Sequence, residues 1–105
     1  MNLEFVRVAS RQEIKPGQLG RAQVQGRAIL LANVDGTIYA TDEMCTHEEF
    51  SLYLGALQGE YVSCSLHGSR FSVISGKPQE EPACTPLRTY PVRIEDDDVY
   101  VGVTS

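Results

Sequence analysis

Basic residues are scarce: Lys and Arg total 9 against 14 Asp and Glu in 105 residues, a formal net charge of −5. That deficit argues against nucleic acid, whose phosphates demand a basic footprint, and against anionic membrane surfaces. It favours steering toward basic protein partners. Long apolar runs are also missing, and no stretch approaches the roughly 20 residues that span a bilayer. The first residues, Met1 to Arg7, lack the basic and apolar regions of a signal peptide. A soluble, cytoplasmic protein is the expectation. Cysteine is too sparse for a disulfide framework, because Cys45, Cys64 and Cys84 form no even set and intracellular thiols stay reduced. They call for explanation as ligands, nucleophiles or core residues. Repeats, low-complexity tracts and linkers are absent too, which predicts one domain over residues 1–105.

Helical periodicity is nearly absent, although Ser10 to Ile14 suits one helical turn. The chain instead shows short apolar or alternating runs, broken by turn signals every eight to twelve residues or so. Strands are predicted over Leu3 to Ala9, Gly20 to Gln25, Arg27 to Asn33, Thr37 to Thr41, Glu60 to Cys64, Ser69 to Ile74, Leu87 to Glu95 and Val99 to Val103. Gly26, Asn33-Val34-Asp35-Gly36 and Asp96-Asp97-Asp98 mark hairpin turns, where Gly supplies the positive φ that tight turns need. The pattern predicts a small antiparallel all-β protein. Asp42 to Gly59, Ser65 to Gly68 and Pro78 to Pro86 break it, and long irregular loops in a compact domain are usually functional.

Both histidines lie in such segments, each beside a cysteine, as Cys45-Thr46-His47 and Cys64-Ser65-Leu66-His67. Sixteen residues separate His47 from Cys64. Two buried thiols with two surface imidazoles are the bland account of this pattern, and a four-ligand metal site is the pointed one. Thiolate and imidazole suit zinc or an iron–sulfur cluster. A Cys₂His₂ zinc finger takes both cysteines from one knuckle and both histidines from one helix. Here each loop supplies one of each, and nothing helical follows. If each loop reached over both atoms of a two-iron rhomb, one iron would receive both sulfurs and the other both nitrogens. In a Rieske centre His₂ replaces Cys₂ on one iron in this way.

The chain resembles the Rieske [2Fe-2S] ferredoxins, most of all those that serve multicomponent aromatic-ring-hydroxylating dioxygenases. The resemblance is carried by Cys45-Thr46-His47, Cys64-Ser65-Leu66-His67-Gly68-Ser69-Arg70-Phe71, Ser75-Gly76-Lys77 and Pro82-Ala83, and it covers nearly the whole chain. It implies a three-sheet antiparallel fold with one [2Fe-2S] cluster at a tip, held by Cys45, His47, Cys64 and His67. It implies no catalytic residues. The expected role is that of a monomeric carrier taking one electron from a flavin-dependent reductase to a terminal oxygenase. Rieske subunits of cytochrome bc complexes resemble it less, since they carry a membrane anchor and an extra loop disulfide. Dioxygenase large subunits add a mononuclear iron on a 2-His-1-carboxylate triad, for which no histidine remains here.

The resemblance also assigns secondary roles. Histidine ligation raises the potential above that of all-Cys clusters, with His47 and His67 as the solvent-facing route for the electron. Gly68 is suited to close backbone approach, and Ser69 is a candidate donor to a bridging sulfide. Phe71 stands where high-potential relatives have a tyrosine. Cys84 is expected to be packed rather than ligating. Glu43, Glu48, Glu49, Glu80 and Glu81 are expected as a solvated rim or an acidic collar. Leu54 and Leu57 are expected beneath the cluster, with Tyr39, Tyr61, Tyr90 and Tyr100 packing in strands. Two other classes compete: the small Rieske-like subunit of an assimilatory nitrite reductase, and a zinc-stabilised interaction domain.

Overall fold

The computed structural model describes residues 3–45, 50–64, 70–79 and 85–104. Among them run β1 (Leu3–Ser10), β2 (Leu19–Val24), β3 (Arg27–Val34), β4 (Thr37–Asp42), β5 (Ala56–Gln58), β6 (Tyr61–Ser63), β7 (Arg70–Ser72), β8 (Thr89–Tyr90), β9 (Val92–Glu95) and β10 (Asp98–Thr104). They form three antiparallel sheets, ordered β1-β10-β9, β2-β3-β4-β8 and β5-β6-β7. The all-β reading therefore holds. The helical turn expected at Ser10 to Ile14 is a 3-10 turn over Arg11–Glu13. Its capping box joins the Glu13 N–H to the Ser10 side chain and the Ser10 N–H to Glu13 Oε1, and the Gln12 N–H also donates to Ser10 Oγ.

Strand β3 explains the layering. Its run Ala28-Ile29-Leu30-Leu31-Ala32 is apolar at every position, which a strand covered on both faces requires. Side chains alternate across a sheet, and the two faces of β3 enter different clusters. Ile29 and Leu31 pack with Ile14, Val24, Ile38, Val99, Val101 and Val103, against the β1-β10-β9 sheet. Leu30 and Ala32 pack with Leu52, Val62, Phe71, Val73, Leu87, Cys45 and Cys64. The four-stranded sheet is thus a floor between a purely structural core and one that contains two thiols. The β3–β4 turn has the left-handed pair its sequence calls for, Asp35 at φ 52° and Gly36 at φ 96°. Buried Asn33 secures it, accepting from the Gly36 N–H and donating to the Ile14 carbonyl, both at 2.8 Å.

The strand expected over Leu87 to Glu95 is two strands in two sheets. Pro91 separates them, because it has no N–H to extend a ladder. Tyr90 stays opposite Ala40 of β4, whereas Val92 pairs with Val101 of β10. The Pro91 carbonyl accepts from the Gly102 N–H at 2.9 Å, so the crossing itself is hydrogen-bonded.

Tyr90, almost fully buried, donates its hydroxyl to Asp42 Oδ1 at 2.5 Å. Burial raises its phenol above the ordinary tyrosine value, and the Asp42 carboxylate adds to the rise while Arg27 opposes it. The folded protein therefore resists ionisation that the unfolded chain undergoes near pH 10 or so. This contribution is complete below that pH and is lost as pH climbs through the raised folded value. Melting temperature is expected to fall in this alkaline range, and Tyr90→Phe to flatten the fall. Parallel melting curves of the two proteins would contradict the assignment.

Candidate metal centre

The segment expected to be irregular from Asp42 to Gly59 contains order that its sequence hides. Residues 43–45 run back alongside 50–52: the Cys45 N–H donates to the Phe50 carbonyl at 2.9 Å and the Leu52 N–H to the Glu43 carbonyl at 2.8 Å. Met44 pairs with Ser51 between them. A 3-10 turn over Leu52–Leu54 and the short β5 follow. Cys45 is therefore the last described residue of one side of a paired stem.

Cys64 occupies an analogous position. It follows β6, whose Ser63 pairs with Arg70 of β7, so that residues 65–69 connect adjacent strands. Gly55 lets the two stems meet, since a Cβ there would lie 1.8 Å from the Ser63 carbonyl oxygen. Ser72 braces the far end of β7. Its hydroxyl donates to Glu60 Oε2 at 2.6 Å and accepts from the Ile74 and Ser75 N–H groups. The Leu87 N–H then bonds the Gly76 carbonyl at 2.7 Å, fastening the chain after residue 84 to this turn.

Both thiols are free and buried, Cys45 at 5% and Cys64 at 1% exposure. They share the apolar cluster of Leu30, Leu52, Val62, Phe71 and Leu87. Two thiols from separate stems in one buried apolar cluster suit a soft metal centre, so the residues present fit an iron–sulfur group. His47 and His67 lie outside the described residues, as do Gly68, Ser69, Cys84, Glu48, Glu49, Glu80 and Glu81.

Two expectations are corrected here. Leu54 is 61% exposed, and Leu52 fills the core in its place. In a three-residue turn only one side chain of this pair faces inward, a choice that leucine spacing alone does not reveal. Leu57 does pack against the thiol-bearing cluster. Glu43 is neither rim nor collar, being buried at 8% exposure. Its placement was the residue-level signal that the sequence reading missed. Tyr39 and Tyr90 pack into the two cores, as expected for strand tyrosines.

The fold and these stems together define a small β protein with two buried thiols at the ends of two stems. A sequence profile of the Rieske [2Fe-2S] domain matches residues 4–91. The biphenyl dioxygenase ferredoxin subunit of Pseudomonas sp. (strain KKS102) is 41% identical over 100 residues, covering 94% of this chain and 92% of that protein. Among solved structures, Sphingomonas yanoikuyae B1 ferredoxin superposes with a TM-score of 0.91 at 30% identity, covering 96% of this chain and 100% of its own. A complex of reduced oxygenase and oxidized ferredoxin in carbazole 1,9a-dioxygenase matches with a TM-score of 0.87 at 32% identity, over 92% of this chain and 91% of the matched one. A putative NADH-dependent nitrite reductase small subunit from Mycobacterium tuberculosis, at 15% identity, TM-score 0.88 and coverage of 100% and 99%, shares the fold. The chain belongs to the Rieske [2Fe-2S] domain family, and its cofactor is a Rieske-type [2Fe-2S] cluster. Among the described residues no helix is long and apolar enough to cross a membrane.

Proposed function

We propose that this chain is the ferredoxin component of an aromatic-ring dioxygenase system, a cytoplasmic monomer and single domain over residues 1–105. In this reading it receives one electron from a flavin-dependent reductase and delivers it to a terminal oxygenase. Cys45 and Cys64 bind as thiolates, and His47 and His67 complete the ligand set. When bound, the cluster supplies a site that takes up and releases a single electron. The observation that carries the reading is the burial of two thiols, from separate stems, in one apolar cluster, each just before a connection containing a histidine.

The chain's own residues do the rest. Leu52, Val62 and Phe71 exclude water from the thiolate side, which limits reorganisation when charge changes. The stem hydrogen bonds fix where each cysteine leaves the sheet. The identity to ferredoxin components of dioxygenase systems supports a carrier rather than an oxygenase. The test is EPR of the dithionite-reduced protein together with its visible spectrum. A red-brown protein with a rhombic Rieske signal is expected, passing electrons to a terminal oxygenase without turning over substrate alone. A colourless, EPR-silent protein containing zinc would overturn the reading.

A further inference from the structure

Glu43 is an uncommon choice for a buried position. Its side chain is 10% accessible, and a carboxylate is costly to bury unless it is paired and hydrogen-bonded. Ser51 Oγ donates to its Oε2 at 2.5 Å, and Arg21 Nη1 lies 3.8 Å from the same oxygen. The Tyr53 N–H donates to Ser51 Oγ at 3.2 Å, and the Arg21 guanidinium sits 4.7 Å over the Tyr53 ring. The Glu43 N–H donates to the Ala28 carbonyl at 3.1 Å. This network ties the Cys45 stem to β2 and β3.

The placement relative to Cys45 matters most. Burial alternates along the stem: Glu43 in, Met44 out at 40% exposure, Cys45 in. Glu43 and Cys45 are two residues apart, so their Cα atoms lie at most about 7 Å from each other. A buried negative charge tethered two residues from a thiolate ligand disfavours arrival of an electron. The Arg21 charge has the opposite effect, weakened because its side chain is 57% exposed.

We propose that Glu43 and Arg21 act as an opposed charge pair that sets the electron affinity of the centre at Cys45, with Glu43 also positioning the Cys45 stem through Ser51. The inference rests on Cys45 being a ligand, as in the reading above. Glu43→Gln keeps the shape and an acceptor for Ser51, whereas Arg21→Gln changes a half-exposed side chain.

The experiment is redox titration of the holoprotein and both variants at one pH, at low and high salt, followed by EPR. Glu43→Gln is expected to raise the midpoint, with the shift persisting in salt. Arg21→Gln is expected to lower it by less, with the shift shrinking as salt screens an exposed charge. Shifts of the same sign, or no shift in either variant, would overturn the pair, because loosened packing has no reason to respond to the sign of the removed charge. If Glu43→Gln does not retain the cluster, Arg21→Gln decides alone, and an unchanged or raised midpoint overturns the proposal. Cys45→Ser, measured alongside, separates the two levels. A wild-type spectrum in that variant refutes the ligand assignment, whereas unshifted midpoints with an intact Rieske signal refute only the charge pair.

Discussion

Cys64→Ser is expected to leave a folded but colourless protein without the cluster signal. Serine nearly matches cysteine in volume, and Cys64 follows a β6 already paired on both sides, so the sheet has no reason to open. What disappears is the soft thiolate that iron and sulfide require. A serine hydroxyl stays protonated at neutral pH and is a hard donor. The loss should exceed the roughly 10–100-fold that follows removal of an outer-shell partner. Iron and acid-labile sulfide analysis after anaerobic reconstitution, beside far-UV circular dichroism, measures both halves. Retention of near-stoichiometric iron would show that Cys64 is not a ligand. Unfolding of the variant would show that it is a packing residue first.

Phe71→Ala is expected to have the largest effect on stability. Phe71 is fully buried on β7 and belongs to the cluster that contains both thiols, Leu52 and Val62. Truncating such a side chain removes transfer free energy and leaves a cavity, typically costing about 3–5 kcal/mol. For a chain of this size that lowers the melting temperature by roughly 15 °C or more. The cavity opens in the cluster that contains both cysteines, so iron release is also expected to accelerate. Urea unfolding of the apo protein isolates the packing cost, and the decay of visible absorbance reports the cluster. A loss below about 1 kcal/mol would mean that Leu52 and Val73 collapse into the space. In that case the layer beneath the thiols is more plastic than its burial implies.

These two residues show how unevenly sequence and structure speak. Both cysteines stand out in the sequence by their spacing to histidine, a signal that needs no folding argument because it rests on residue type alone. Phe71 is visible in the sequence as a strand residue of a family-like motif, standing where high-potential relatives have a tyrosine. Its energetic role comes from the stack of Leu30, Val62 and Leu87 around it. Strands with strong alternation or full burial, such as β3 and β10, were legible because apolar period is a local property. Strand β5 was not, since Ala56-Leu57-Gln58 has too few apolar positions to establish a period. Its existence depends on pairing with β6.

The same division runs through the polar residues. Asp35-Gly36 specified its turn locally, because few residues accept positive φ. Glu43 looked like surface, as acidic residues in loops usually are. Its burial is accompanied by partners that the fold brings to it, Ser51 from the returning side of its stem and Arg21 from β2.

Residue type and spacing by themselves determined the all-β class, the net acidity and the Cys-x-His and Cys-x₂-His pairs, since each depends on neighbours close in the chain. Tertiary structure alone decided that the run through Pro91 divides between two sheets, that Leu52 rather than Leu54 enters the core, and that the Glu43 carboxylate, two residues before Cys45, is enclosed. Those outcomes depend on which distant groups supply a hydrogen bond, a cavity or a countercharge, and no local pattern encodes that partner.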